Sequence, residues 1–163
     1  MPGFFVRKIS TLGDNMKKVF LIILLVYFGS NAYCQDNVIK LGSEVTLQLK
    51  KDSSGKYNYQ IISNKPMKKS IELDNDFLKG DVDSTQVKLV FGKGKFGSTP
   101  EIFLIIKSGL KNTLSYAARI KTDRHDFQIT DVNPLIPKVK SMETWGDNIS
   151  EIILFDFKVF SYN

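Results

Sequence analysis

From residue 44 onward, apolar and polar side chains alternate with a period of two. Val45, Leu47 and Leu49 alternate with Thr46, Gln48 and Lys50, which predicts a strand with one buried face. Asp52-Ser-Ser-Gly55 is a turn cluster. Tyr57, Tyr59 and Ile61 then alternate with Asn58 and Gln60, so the two runs predict a hairpin that Asn64-Lys-Pro66 ends. Ile71 and Leu73 predict a short strand. Residues 74–84 form a polar, acidic connection containing Gly80, with room for a helical turn around Asp76 to Leu78. Val87, Leu89 and Phe91 alternate again. Ile102 to Ile106 reads IFLII without alternation, the pattern of a central strand covered on both faces. Leu114, Tyr116, Ala118 and Ile120 give the next strand, and Phe127 and Ile129 a short one. Asn133-Pro-Leu-Ile-Pro137 is a rigid, extended link, because proline disfavours helix at the residue before it. Ile152, Leu154, Phe157 and Val159 lie in a last strand, interrupted by Asp156.

Seven or eight short strands at intervals of roughly 8–15 residues, with no long amphipathic helix, predict an all-β sandwich or barrel. An antiparallel β-sandwich of immunoglobulin-like topology is the first expectation. Tyr116-Ala-Ala118 resembles the segment of such domains in which a tyrosine stands two residues before the second cysteine position, here Ala118. Two strands follow it where that topology has one.

The N-terminal pattern is different. Val19 to Phe28 (VFLIILLVYF) is ten apolar residues, preceded by Lys17 and Lys18 and followed by Ser30, Ala32 and Cys34. A charged start, a short apolar core and small residues predict a cleaved signal peptide over 16–34. The run falls short of the roughly 20 residues of a spanning helix. Residues 1–15 precede Met16-Lys-Lys and are an extension from an upstream start or a long n-region. Ala32-Tyr33-Cys34 places the cut before Gln35. The alternative is a lipoprotein anchored through Cys34, for which Asn31 and Tyr33 are not the usual neighbours. The signal resembles those of exported Gram-negative proteins, so a periplasmic or secreted location is expected, with 35–163 as a single domain.

Processing changes the charge. The 163-residue chain carries +6. Removing Arg7, Lys8, Lys17 and Lys18 together with Asp14 leaves 19 basic and 16 acidic residues, a net +3. That calls for no polyanionic partner, and no nucleic acid is expected. The only cysteine, Cys34, leaves with the signal, so no disulfide is expected. The lysines are spread out, with Lys65, Lys68 and Lys69 the densest cluster.

Candidate chemistry is sparse. Gly92-x-Gly94-x-x-Gly97 has the spelling of a dinucleotide-binding loop. Three strands precede it, however, and neither a long helix nor an acidic residue at about 20 positions on follows. It is read as a strand connection in which the three glycines permit positive φ, with Glu101 to Ile106 extended and no nicotinamide cofactor bound. Asp74, Asp76, Asp81 and Asp83 offer a calcium candidate without the spacing of a helix-loop-helix site. His125, the only histidine, stands in Asp123-Arg-His-Asp126, a charged turn. Glu143, Trp145 and Asp147 bring the only tryptophan and two carboxylates into a turn-rich stretch. With His125 nearby, they are the candidate ligand site, since an aromatic face and polar tips suit a sugar or a peptide. The expected function is a small exported binding domain for an unidentified protein or carbohydrate, without cofactor or catalysis. The alternatives are a small hydrolase using Asp123, Asp126 and Glu143, and an inhibitor or immunity-type protein acting through a sheet edge or loops.

Overall fold

The computed structural model of the protein describes residues 37–72, 77–146 and 148–160. The predicted signal region, Leu73, the calcium candidates Asp74 and Asp76, and the site candidate Asp147 lie outside the described residues. The strands are β1 (Ile39–Lys40), β2 (Ser43–Lys51), β3 (Lys56–Pro66), β4 (Gln86–Phe96), β5 (Thr99–Ser108), β6 (Leu114–Thr122), β7 (Gln128–Thr130), β8 (Lys140–Trp145) and β9 (Ile149–Val159). They join into one antiparallel sheet of order β7-β6-β9-β3-β2-β4-β5-β8, with β1 beside β9. No described residue is helical.

The all-β antiparallel class is therefore what the chain adopts, but the hydrogen-bonded path is continuous. An immunoglobulin-like sandwich has two separate sheets. Here the single sheet curls into a half-barrel until its two ends approach. Trp145 Nε1 on β8 donates to Thr130 Oγ1 on β7 at 3.2 Å. The link from β7 to β8 runs along this seam. Leu114 and Leu135 exchange backbone hydrogen bonds at 3.0 and 2.8 Å, and Lys138 N donates to Ser108 O at 3.0 Å. The rigid proline link thus closes the wall.

The inner face carries the main core, including Val45, Leu47, Leu89, Phe91, Leu104, Ile106, Leu114, Leu154 and Phe157, all fully or almost fully buried. These are the alternating positions of the sequence. Tyr116 stacks on Phe157 at 5.4 Å, and Tyr59 meets the same ring edge-on at 5.5 Å. The ladder between β3 and β9 has only two residue pairs. Tyr59 extends it, its hydroxyl donating to Leu154 O at 2.6 Å. The hydroxyl of Tyr116, by contrast, is buried without a partner among the described residues. The immunoglobulin-type tyrosine, whose hydroxyl bonds to nearby backbone, is not reproduced there.

β4 and β5 are apolar on their outer face as well. Val90, Phe103 and Ile105 are buried under Ile71, with Met67, Phe77 and Leu78 packed against them. This second cover explains why IFLII does not alternate. It is supplied by the chain between β3 and β4, a strap anchored by Met67 N donating to Gly42 O at 2.7 Å and Ile71 N to Lys93 O at 2.8 Å. The expected strand at Ile71 reduces to one parallel bridge with Gly94.

The glycine motif follows from this strap. Gly97 alone of the three has positive φ (61°), at the first position of the two-residue turn between the paired Phe96 and Thr99. Gly92 and Gly94 lie inside β4 rather than in the turn, which corrects the expectation of positive φ for all three. A Cβ on Gly92 would sit 2.6 Å from Met67 Sδ. One on Gly94 would collide with the Ile71 carbonyl and lie 2.8 Å from the Phe103 ring. The missing side chains are clearance for the strap. Glu101 to Ile106 is extended within β5, as expected of a strand connection.

Candidate functional site

The strap also creates a concavity on the outer face of the sheet. Antiparallel pairing places Lys65 of β3, Glu44 of β2, Val90 of β4 and Ile105 of β5 in one cross-strand row. By the period of two, all four side chains stand on the outer face. Above this row the chain leaves β3 as Lys65-Pro-Met-Lys-Lys69. Together with Phe77 it encloses a cavity of about 630 Å³ lined by Glu44, Lys65, Met67, Lys68, Lys69 and Val90. A second hollow of about 380 Å³ lies on the other side of Met67–Lys69 and adds Leu41, Gly92 and Lys93.

The electrostatics are one-sided. Lys65, Lys68 and Lys69 are exposed and none forms an ion pair with a described residue. Val90 is buried at the floor, and Met67 and Phe77 are half-buried walls. Among the described lining residues, ammonium groups thus border an apolar surface, offset by the single carboxylate of Glu44. The arrangement can hold an anion and shelter an apolar group, but it presents no nucleophile paired with a base.

The residues expected to form a site are placed elsewhere. Glu143 and Trp145 lie in β8, paired with Leu104 and Ile102 of β5, and not in a turn. Both are half-buried, and Trp145 packs against the core with its indole N–H held by Thr130. Glu143 Oε1 accepts from Asn133 N at 2.8 Å and Asn133 Nδ2 at 3.1 Å, while Oε2 accepts from the same Nδ2 at 3.2 Å. Both side chains therefore fasten the barrel seam. Burial and, secondarily, the charge of Glu143 push the Tyr116 hydroxyl far above its usual range.

His125 is exposed in the turn between β6 and β7, where its backbone N–H donates to Thr122 Oγ1 at 3.1 Å. That turn does meet the one between β8 and β9, since Asp123 N donates to Asn148 O at 3.3 Å. Of the calcium candidates, Asp81 is exposed and Asp83 shapes a turn. Asp83 Oδ1 accepts from Thr85 N at 2.9 Å and Thr85 Oγ1 at 2.6 Å, and the hydroxyl bond holds its carboxyl below the ordinary value. Among the described residues no three His, Cys, Asp or Glu side chains converge as a metal site.

The lysines of the concavity stood out in the sequence only as the densest cationic cluster. Their spacing, three in five residues around Pro66 and Met67, was the available signal. The apolar partners Phe77 and Val90 come from distant positions. No protein-family model, curated protein or solved structure matches the chain.

Proposed function

We propose that this chain is an exported, non-catalytic binding domain whose ligand seats in the lysine-rimmed concavity beside the strap. The observation that carries it is the combination of lysines that form no ion pair with a described residue and a buried apolar floor, in a cavity of about 630 Å³. Small-molecule sites fall in the range of about 300–1,000 Å³ and mix apolar walls with a few polar groups. The hydrolytic alternative has less support, because Glu143 is fully engaged by Asn133. Strand addition to a partner along β3 also has less support. Its pairing with β2 slips between Thr46 and Leu47, leaving Ile62 unpaired, and it ends in Lys65-Pro66. A bulge, a lysine and a proline all discourage edge pairing.

A fragment screen read by amide chemical shifts tests the site. Hits should perturb Glu44, Met67 to Lys69, Phe77 and Val90. Hits confined to Thr130, Glu143 and Trp145 would move the site to the seam and overturn this reading. Export is tested separately by mass spectrometry of the processed protein. Gln35 at the N-terminus supports cleavage after Cys34, and a diacylglyceryl mass on Cys34 refutes it.

A further inference from the structure

We infer that the concavity takes an anionic amphiphile, a carboxylate or phosphate head on a short apolar body. This rests on the binding site proposed above and specifies its ligand. Lys68 and Lys69 line both hollows, so the ridge they form is where a head group meets the most positive charge. Lys65 flanks the ridge on one side and Lys93 on the other. Among the described lining residues, four ammonium groups thus face one carboxylate, Glu44. Their mutual repulsion is relieved by a bound anion. Lysines are mobile point donors that serve carboxylate and phosphate alike, without the fixed fork of arginine.

The apolar body follows from the remaining walls. Pro66, Met67, Phe77 and Val90 supply a continuous hydrocarbon and aromatic surface below the lysines. Methionine adapts to ligands of different outline. A bare inorganic anion would leave this surface unused. A purely apolar ligand would strip water from the lysines without replacing it, which is costly. Glu44 stands beside Val90 at the floor, where it repels any second negative group and so turns the head outward to the ridge.

The test uses octanoate and octyl phosphate as probes, with octanol and octyl glucoside as neutral controls, by calorimetry and amide shifts. Both anions should bind with shifts at Met67 to Lys69, Phe77 and Val90, more weakly as salt rises. Lys68→Gln with Lys69→Gln should weaken binding about tenfold or more, as expected for lost charge-assisted contacts. Both sites are exposed, so the melting temperature should not move. Glu44→Gln should tighten binding, a gain that a merely structural residue would not give. Vesicles of phosphatidylglycerol and of phosphatidylcholine separate the sources. Binding to the anionic vesicles supports a bilayer headgroup, and binding only to the free anions supports a soluble amphiphile. Equal affinity for the neutral octyl chains at the same amides would overturn the anionic head and leave the site standing. No shift at those amides with any probe would overturn both.

Discussion

Gly94→Ala isolates the contact between strap and sheet. The added Cβ would lie 2.8 Å from Phe103 Cε2 and closer still to the Ile71 carbonyl, where ordinary contact begins near 3.4 Å. The ring must retreat by about 0.6 Å and the strap backbone by more. Neither is a flexible side-chain end. Overpacking of this kind costs about 1–3 kcal/mol. Displacing the strap also exposes Ile71, now 1% accessible, whose burial is worth up to about 1.5–3 kcal/mol. Replacing glycine in a strand returns about 0.5–1 kcal/mol. The expected net loss is about 2–4 kcal/mol. Gly97→Ala is the control. It meets nothing within 4 Å and carries only the strain of φ 61°, about 1–2 kcal/mol, with the strap undisturbed. Urea unfolding gives both values. Hydrogen exchange at the Ile71 amide, which donates to Lys93 O, reports the strap directly and should accelerate only in Gly94→Ala. A loss below about 0.5 kcal/mol with the Ile71 amide still protected would refute the clearance role.

Other outcomes follow from the seam, the core and the turns. Tyr116→Phe removes a buried hydroxyl that has no partner among the described residues, so thermal melts should show it neutral or stabilising by about 1 kcal/mol. Because burial raises the folded value above the unfolded value of about 10, unfolding releases this proton more easily. Stability should fall as pH rises past about 10, and Tyr116→Phe should lessen that fall. Trp145→Ala should cost about 3 kcal/mol in urea unfolding while leaving octyl phosphate affinity unchanged; the reverse pattern would restore the seam as a ligand site. Hydrogen bonds from Lys56 and then Lys158 hold the Asp156 carboxyl below its ordinary 3.8. The stability it adds is present above that value and lost as pH falls through the lower folded one. Asp156→Asn should flatten part of this acid limb in melts at pH values below 3.8, the ordinary value of the carboxyl, asparagine also tolerating the left-handed backbone (φ 53°).

The strands with one dry face were legible in the sequence. Val45 to Leu49 and Leu114 to Ile120 alternate because one face meets the core and the other meets solvent or polar chain, whereas in Val87 to Phe91 the core-facing alternation shows although Val90 on the other face is covered by the strap. IFLII was legible as central, and the strap supplies the second cover. β8 was not legible. Its inward positions, Ser141, Glu143 and Trp145, mix polar and aromatic groups, the first two bonded to the proline link and Trp145 to Thr130 of β7, so no apolar period appears. Gly92 and Gly94 kept the spelling of a nucleotide loop because local sequence does not record what crosses above a strand. The same limit hid the concavity. Lys65, Lys68 and Lys69 formed a visible cluster, but the floor at Val90 and the wall at Phe77 join them only after the sheet has formed.

β9 is the last strand along the chain, yet it sits inside the sheet, bonded to β6 on one side and to β1 and β3 on the other. Without it the hairpin of β6 and β7 has no ladder to the remaining five strands, β3-β2-β4-β5-β8. The protein is therefore slow to commit. During synthesis most of its core residues exist before the strand that joins them, and pairings so distant in sequence carry a large loop-closure cost. An unfinished chain exposes a raw edge on β6, which in the finished sheet pairs with β9 along most of its length, and such an edge invites association with other chains. Release of a nascent chain cut short before Ile149 should therefore yield aggregate rather than a smaller working domain, because the sheet cannot close until β9 has been made.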